Sequence, residues 1–272
     1  MKLTTLIDNR QNVNQLKCEH GLSFYLETDG LNIIFDTGQS NKFISNAQKL
    51  DIDLSNVDYV VLSHGHYDHT GGLPDFFELN SKAKAIISRK AFRQRFSRST
   101  AMIKQNGIPW REELQKYAHR LVLIDDDFKL SDDIILLSNI HQQKEFEVIN
   151  ERLVVKEGGN LVADKFEDEL VLVAQLASKP LVLCGCAHNG IINILQTIKE
   201  RTGHKAFALV AGGLHLNGYA SKEVNQILIG LKPFETDHWI LNHCTGDNAF
   251  ELFKQHFTNK VEYGGCGFTI TL

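Results

Sequence analysis

The stretch Ser63-His64-Gly65-His66-Tyr67-Asp68-His69-Thr70-Gly71-Gly72 follows directly on the apolar run Asp58-Tyr59-Val60-Val61-Leu62. Within six positions it holds three imidazoles and a carboxylate, donors that suit zinc, iron and manganese. The apolar run reads as a buried strand, so the cluster emerges at a strand's carboxyl end, where open α/β sheets hold their ligands. His64 and His66, two apart on extended chain, would face one ion, while Asp68 and His69, past the bend, would face a second. Gly65 is expected to permit a tight turn there. A nonspecific histidine-rich surface loop would need neither the strand before the cluster nor the Gly-Gly after it, and that reading is set aside.

Around this cluster lie 272 residues with 43% hydrophobic content, enough to bury a large core. The amino-terminal Met-Lys-Leu-Thr-Thr-Leu-Ile-Asp shows no sustained apolar region and no cleavage site, so a cytoplasmic location is the expectation. Leu170 to Ala187, the most apolar stretch, is broken by Gln175, Ser178, Lys179 and Pro180 and reads as two strands, with no membrane span expected. Five scattered cysteines, Cys18, Cys184, Cys186, Cys244 and Cys266, suggest free thiols. A net charge of −4 and a pI near 6.3 give no broad basic footprint for nucleic acid.

Apolar alternation over Leu22 to Thr28, the Asp29-Gly30 turn and the run Leu31 to Phe35 predict a hairpin. Helices are expected over Ser40 to Leu50, Leu73 to Leu79, Ile191 to Arg201, Ser221 to Leu231 and Asp247 to Phe257. Strands are expected at 121–124, 134–137, 152–155, 170–176, 181–184, 206–211, 238–241 and 268–272. The polar, arginine-rich segment 89–119 reads as a helical insertion over the site. Two strand-rich halves, each followed by strand-helix alternation, imply one domain over 1–272, built as a four-layer αββα sandwich.

In that geometry further ligands should follow later strands, on the same rim. Gly185-Cys186-Ala187-His188-Asn189-Gly190 follows the strand Leu181 to Cys184, and Asn242-His243-Cys244-Thr245-Gly246 follows Trp239-Ile240-Leu241. His188 and His243 are therefore read as metal ligands. Cys186 and Cys244, beside them, are read as small buried residues of tight turns, with thiolate ligation or redox sensitivity as the alternative.

With these residues the whole chain resembles the metallo-β-lactamase fold superfamily, whose signature is His-x-His-x-Asp-His with an upstream Asp and two downstream histidines. The resemblance implies one metal on His64, His66 and His188 and a second on Asp68, His69 and His243, with Zn2+ in one or both positions and Mn2+ or Fe2+ as alternatives. Asp36, in Phe35-Asp36-Thr37-Gly38, matches the family's upstream motif and would support the site from behind. One departure stands out: the family's metal-bridging Asp is missing from Val210-Ala211-Gly212-Gly213-Leu214-His215-Leu216, where His215 is the nearest group able to complete the site or contact substrate. The strings Cys-Gly-Cys-Ala-His-Asn-Gly, Gly-Gly-Leu-His-Leu and His-Cys-Thr-Gly, with Glu19-His20-Gly21-Leu22-Ser23, look like the branch of dihydropterin-methyl-(ribofuranosyl)aminobenzene phosphate synthases. By that resemblance His20 lies near the mouth of the site.

An open-position metal lowers the pKa of bound water from about 15.7 to about 7. The expectation is thus a metallo-hydrolase acting through metal-bound hydroxide on a small, anionic, phosphorylated or pterin-like molecule, with Asp68 ligating and orienting and His215 assisting. Arg89, Lys90, Arg93, Arg95 and Arg98 in the insertion would suit an anion, although a solvated face accounts for them as well and none is assigned singly. A pterin-condensing synthase and a non-catalytic metal or ligand sensor remain as alternatives. Flavodiiron-type oxygen reduction is disfavoured because His66 stands where such proteins carry Glu.

Overall fold

The structure, a computed structural model, describes residues 1–143 and 152–272. Its first half runs β1 (Lys2–Ile7), β2 (Ser23–Glu27), β3 (Asn32–Phe35), α1 (Lys42–Lys49), β4 (Tyr59–Leu62), α2 (Tyr67–Thr70), α3 (Leu73–Leu79) and β5 (Lys84–Ser88). Then come β6 (Arg95–Arg98), β7 (Ile103–Gln105), α4 (Leu114–Tyr117), β8 (Leu121–Ile124), β9 (Phe128–Lys129) and β10 (Ile134–Leu137). The second half holds β11 (Leu153–Glu157), β12 (Asn160–Ala163), β13 (Val171–Ala174), β14 (Leu181–Cys184), α5 (Ile191–Thr202) and β15 (Ala206–Gly212). It closes with α6 (Ser221–Gly230), β16 (Glu235–Leu241), α7 (Asp247–His256), β17 (Val261–Tyr263) and β18 (Thr269–Thr271).

Two seven-stranded sheets result, ordered β18-β1-β2-β3-β4-β5-β8 and β17-β16-β15-β14-β13-β10-β9. Within them β3-β4-β5-β8 and β14-β15-β16-β17 are parallel. Parallel strands are buried on both faces, which is why Val60-Val61-Leu62 and Leu181-Val182-Leu183 read as unbroken apolar runs. Phe24, Phe35, Val61 and Ile86 of the first sheet meet Leu172, Leu183, Leu209 and Ile240 of the second in the central core. Phe43 of α1 and Leu73 and Phe76 of α3 cover the outer face of the first sheet. Ile191, Ile194, Leu195 and Ile198 fall on one face of α5 by their helical spacing and cover the second sheet beside Val224 of α6 and Phe253 of α7. The chain is the four-layer αββα sandwich expected from its sequence. Among the described residues no helix is long and apolar enough to cross a membrane.

The segment 89–119 corrects the sequence reading. It is not a helical insertion: β6 and β7 join β11 and β12 in a third, four-stranded sheet, and only short turns of helix follow. Arg95-Phe96-Ser97-Arg98 lacks apolar alternation, so its strand character comes from pairing with distant residues, Arg95 opposite Val155, Phe96 opposite Val154 and Ser97 opposite Leu153. β1 and β17 were not foreseen as strands.

Arg95 is likewise not a solvent-facing cation. Its side chain is 1% exposed and bridges Asp164 and Asp168, each at 2.6 Å, while a third guanidinium N–H donates to the Ala91 carbonyl at 2.7 Å. Asp168 also accepts the Gly65 backbone N–H at 2.8 Å, so one buried network fastens the third sheet to the histidine loop. Arg95→Ala would leave two buried carboxylates unpaired and is expected to cost about 3–5 kcal/mol of folding stability, read as a lower midpoint in urea denaturation.

Candidate metal centre

Parallel strands send their carboxyl ends to one side, and the polar side chains of the site gather there. Asp36 follows β3, the histidine cluster follows β4, His188 follows β14, His215 follows β15 and His243 follows β16. Gly65 serves differently from expectation: its φ is ordinary, and its value is space, since a Cβ would run into the Ala91 carbonyl and the Arg95 guanidinium. Asp36, Ala187, His215 and His243 take left-handed φ values of 62°, 51°, 51° and 48°, so backbone strain accumulates at the turns that aim these groups.

Two trios of donors form. In the first, His64 Nε2 stands 3.1 Å from His66 Nδ1, and His188 completes the set, all three donor atoms lying within 4.8 Å of one another. In the second, Asp68 Oδ2 lies 3.3 Å from His243 Nε2 and 3.9 Å from His69 Nε2, but the sets whose donor atoms all lie within 4.8 Å of one another join Asp68 and His243 to His20, and His69 to His64 and Cys186. Donors held at about 2.0–2.1 Å by one tetrahedral zinc stand about 3.3 Å apart, close to the His64–His66 and Asp68–His243 separations. His188 Nε2 is buried and has no hydrogen-bond partner among the described residues, an orphan that an ion would satisfy. The residues present therefore fit a divalent metal.

Each imidazole is turned by a hydrogen bond on its other nitrogen or by packing. His64 Nδ1 meets Ser63 Oγ at 2.8 Å, His66 Nε2 meets the Asn106 amide at 3.4 Å, and His243 Nδ1 meets Asn9 Oδ1 at 2.9 Å. Asp36 holds His69 Nδ1 at 2.7 Å and accepts the Ser63 N–H and hydroxyl, each at 2.7 Å. Phe166 stacks flat on His188, ring centroids 3.7 Å apart. Glu169, buried, accepts the backbone N–H groups of His188 at 2.7 Å and Asn189 at 2.9 Å. Asp8 accepts the His243 N–H at 2.6 Å and the Tyr263 hydroxyl at 2.8 Å.

Electrostatically the trios differ. Burial, then neighbouring imidazoles, holds His64 and His188 well below the ordinary histidine range, and burial brings His66 to about 3. Burial also works against charge on His69, but the Asp36 and Asp68 carboxylates prevail and raise it to about 9. Burial would raise Asp68, yet His69, His20 and His243 hold it well below the usual carboxylate range. Burial pushes the Glu169 carboxyl up to about 7 against its hydrogen bonds from the His188 turn.

The remaining expected groups lie close by. His20 is half exposed at the mouth, its Nε2 3.1 Å from Asp68 Oδ2, and His215 packs 4.3 Å from His188 between ring centroids. Asp8, Asn9, Asn106, Phe166 and Glu169 escaped the sequence reading because nothing local marks them. Asp8 stands at the carboxyl end of β1, a strand not foreseen from the sequence. His66, His188, Asp68 and His243 open into a cleft of about 230 Å3 whose far wall is Ser97, Lys104, Asn106 and Leu153 of the third sheet and its flanks.

Asp36→Asn would set an amide against His69 Nδ1 and the Ser63 donors. It is expected to weaken metal binding about 10–100-fold, measured by competition with a chromophoric chelator, without loss of fold by circular dichroism.

Residues 16–137 match the family model of the metallo-beta-lactamase superfamily. An uncharacterised protein of Methanocaldococcus jannaschii is 31% identical over 96% of both chains. The same organism's 7,8-dihydropterin-6-methyl-4-(beta-D-ribofuranosyl)-aminobenzene-5'-phosphate synthase is 26% identical over 96% of this chain and 93% of its own. Among solved structures, that of Tm1679, a metal-dependent hydrolase of the beta-lactamase superfamily, superposes with a TM-score of 0.85 at 29% identity, covering 100% of this chain and 99% of that one. Zinc-bound PqqB from Methylobacterium extorquens shares the fold at a TM-score of 0.58 and 12% identity, covering 100% of each chain. By whole-length likeness, fold and the order of its His-x-His-x-Asp-His cluster and later histidines, this chain belongs to the metallo-β-lactamase superfamily, a family of divalent-metal proteins.

Proposed function

We propose that the chain is a zinc-dependent hydrolase of a small phosphorylated molecule. The observation carrying this reading is that His66 and His188 of the first donor set and Asp68 and His243 of the second line one small cleft together with a cation, Lys104. Lys104 stands over the Tyr67 ring, 5.9 Å from its centroid, and among the described residues no carboxylate pairs with it. Arg89 pairs with Asp125, and Arg93 with Glu157 and Glu167, whereas Lys104 lines the cleft itself. Zinc suits the imidazole-rich donor set.

A divalent ion held there supplies Lewis-acid polarisation of the scissile group and makes a water acidic enough to lose its proton near neutrality. The side chains do the rest. Lys104 binds the anionic end of the substrate, and the third-sheet wall sets its length. Asp68 Oδ2 lies where it can orient the attacking water, and His20 Nε2, beside it at the mouth, can pass a proton to the leaving oxygen. Phe166 and Leu153 keep bulk water from the reacting centre.

The likeness to the pterin-type synthase favours a second reading, condensation of a pterin-methyl donor with an aminobenzene partner. Product analysis with a dihydropterin diphosphate, with and without that partner, separates the two, because only the synthase forms a joined product.

Elemental analysis after chelator-free purification should give near two ions per chain, with His66→Ala and His243→Ala each losing one and both losing turnover on a phosphoester panel. Little metal under any loading condition would sink the reading. Lys104→Ala should raise KM roughly tenfold for a phosphorylated substrate while leaving kcat within about twofold, since it removes binding shared by ground and transition states.

A further inference from the structure

The family's bridging carboxylate is missing, and the structure shows what stands in the space between the trios. Cys186 Sγ lies 3.2 Å from His69 Nε2, the nitrogen left facing the centre once Asp36 has taken Nδ1. Sets of donor atoms within 4.8 Å of one another join Cys186 to His64 and His69, to His188 and His215, and to His243 and Cys244. No other donor among the described residues recurs as often in these sets. A sulfur at about 2.3 Å and a nitrogen at about 2.0 Å on one tetrahedral zinc stand about 3.5 Å apart, near the observed separation.

Resting on the metal-dependent reading above, we propose that Cys186 is a thiolate ligand at the junction of the two trios, taking the place of the absent carboxylate. Cys244, which shares one donor set with Cys186 and His243, is assigned a structural part. Its sulfur accepts the His215 backbone N–H at 3.2 Å and fills the room that Gly213 leaves, since a Cβ on Gly213 would lie 2.5 Å from it. That contact fixes the His215 turn against the cysteine turn. The Cys186 side chain is buried beside donors, and the backbone just before it is packed against Ser63, with which a Cβ on Gly185 would collide. A sulfur donor also carries a consequence for metal choice: thiolate favours zinc over manganese and magnesium, whereas the carboxylate it replaces would not discriminate so strongly.

The test is zinc K-edge X-ray absorption on the full-length protein, reduced and loaded with zinc, for wild type, Cys186→Ser and Cys244→Ser, with zinc per chain measured on the same samples. The expected result is a sulfur shell at about 2.3 Å in wild type and in Cys244→Ser, lost in Cys186→Ser. Only nitrogen and oxygen around zinc in wild type overturns the assignment, whether or not the variants fold. Persistence of sulfur in Cys186→Ser overturns it too. A full zinc complement without sulfur leaves the hydrolase reading standing, while failure to retain zinc at all defeats both.

Discussion

The site depends on the buried Asp36 carboxylate more than on any of the donors it serves. Asp36 ends a strand of the first sheet and takes hydrogen bonds from the neighbouring strand's end, at Ser63, and from His69 beyond the bend. A carboxylate with no exposed surface is tolerated because those donors, one of them a buried imidazole, are fixed around it. Its left-handed backbone, permissible for Asp, points the side chain back across the parallel pair rather than along the chain. Three consequences follow from one group: the start of the loop is pinned, His69 keeps its Nε2 toward the centre, and Ser63 is placed to orient His64 in turn.

Other anchors repeat this logic from other directions. Asp8, at the end of β1, grips the His243 backbone, and Glu169, ahead of β13, grips the His188 turn. Asp168 grips Gly65 while paired with Arg95. In each case a buried carboxylate binds the backbone N–H groups of a ligand-bearing turn, so the turn's conformation is set by the sheet and not by the ion it would hold. Such preformed rims lower the ordering cost of binding.

This division explains what the sequence disclosed. The histidine cluster, His188 and His243 were legible because metal chemistry demands unusual residues at strand ends, and strand ends show as apolar runs that stop. Helices such as α5 were legible from spacing, and Gly203 in the left-handed region marks the cap of α5. The carboxylate anchors were not legible, since Asp8 and Glu169 look like any acidic residue until a turn hundreds or tens of positions away is brought to them. The third sheet was misread for the related reason that β6 owes its extension to pairing with β11, across an intervening strand and helix set, with β7 paired in turn on β6, and neither carries a local pattern of its own. Arg95 looked like a surface cation because its two acidic partners lie about seventy positions on, separations of 69 and 73 residues.

On the reading proposed above, the donor rim and the cleft's far wall are carried by different parts of the chain. The donor rim belongs to the two large sheets, whose parallel cores fix where every ligand-bearing turn must emerge. Lys104, Ser97 and Leu153 belong to the small third sheet or its flank, which meets the rim through Asn106 at His66 and through Arg95 and Asp168 at Gly65. Changing the face of that small sheet alters the cleft's charge and length without moving a donor, provided Arg95 and its partners stay. Changing the turns alters the ion and leaves the wall in place. A fold arranged in this way can keep one kind of bond-breaking chemistry while its choice of substrate shifts, because the interactions that determine each are separately anchored.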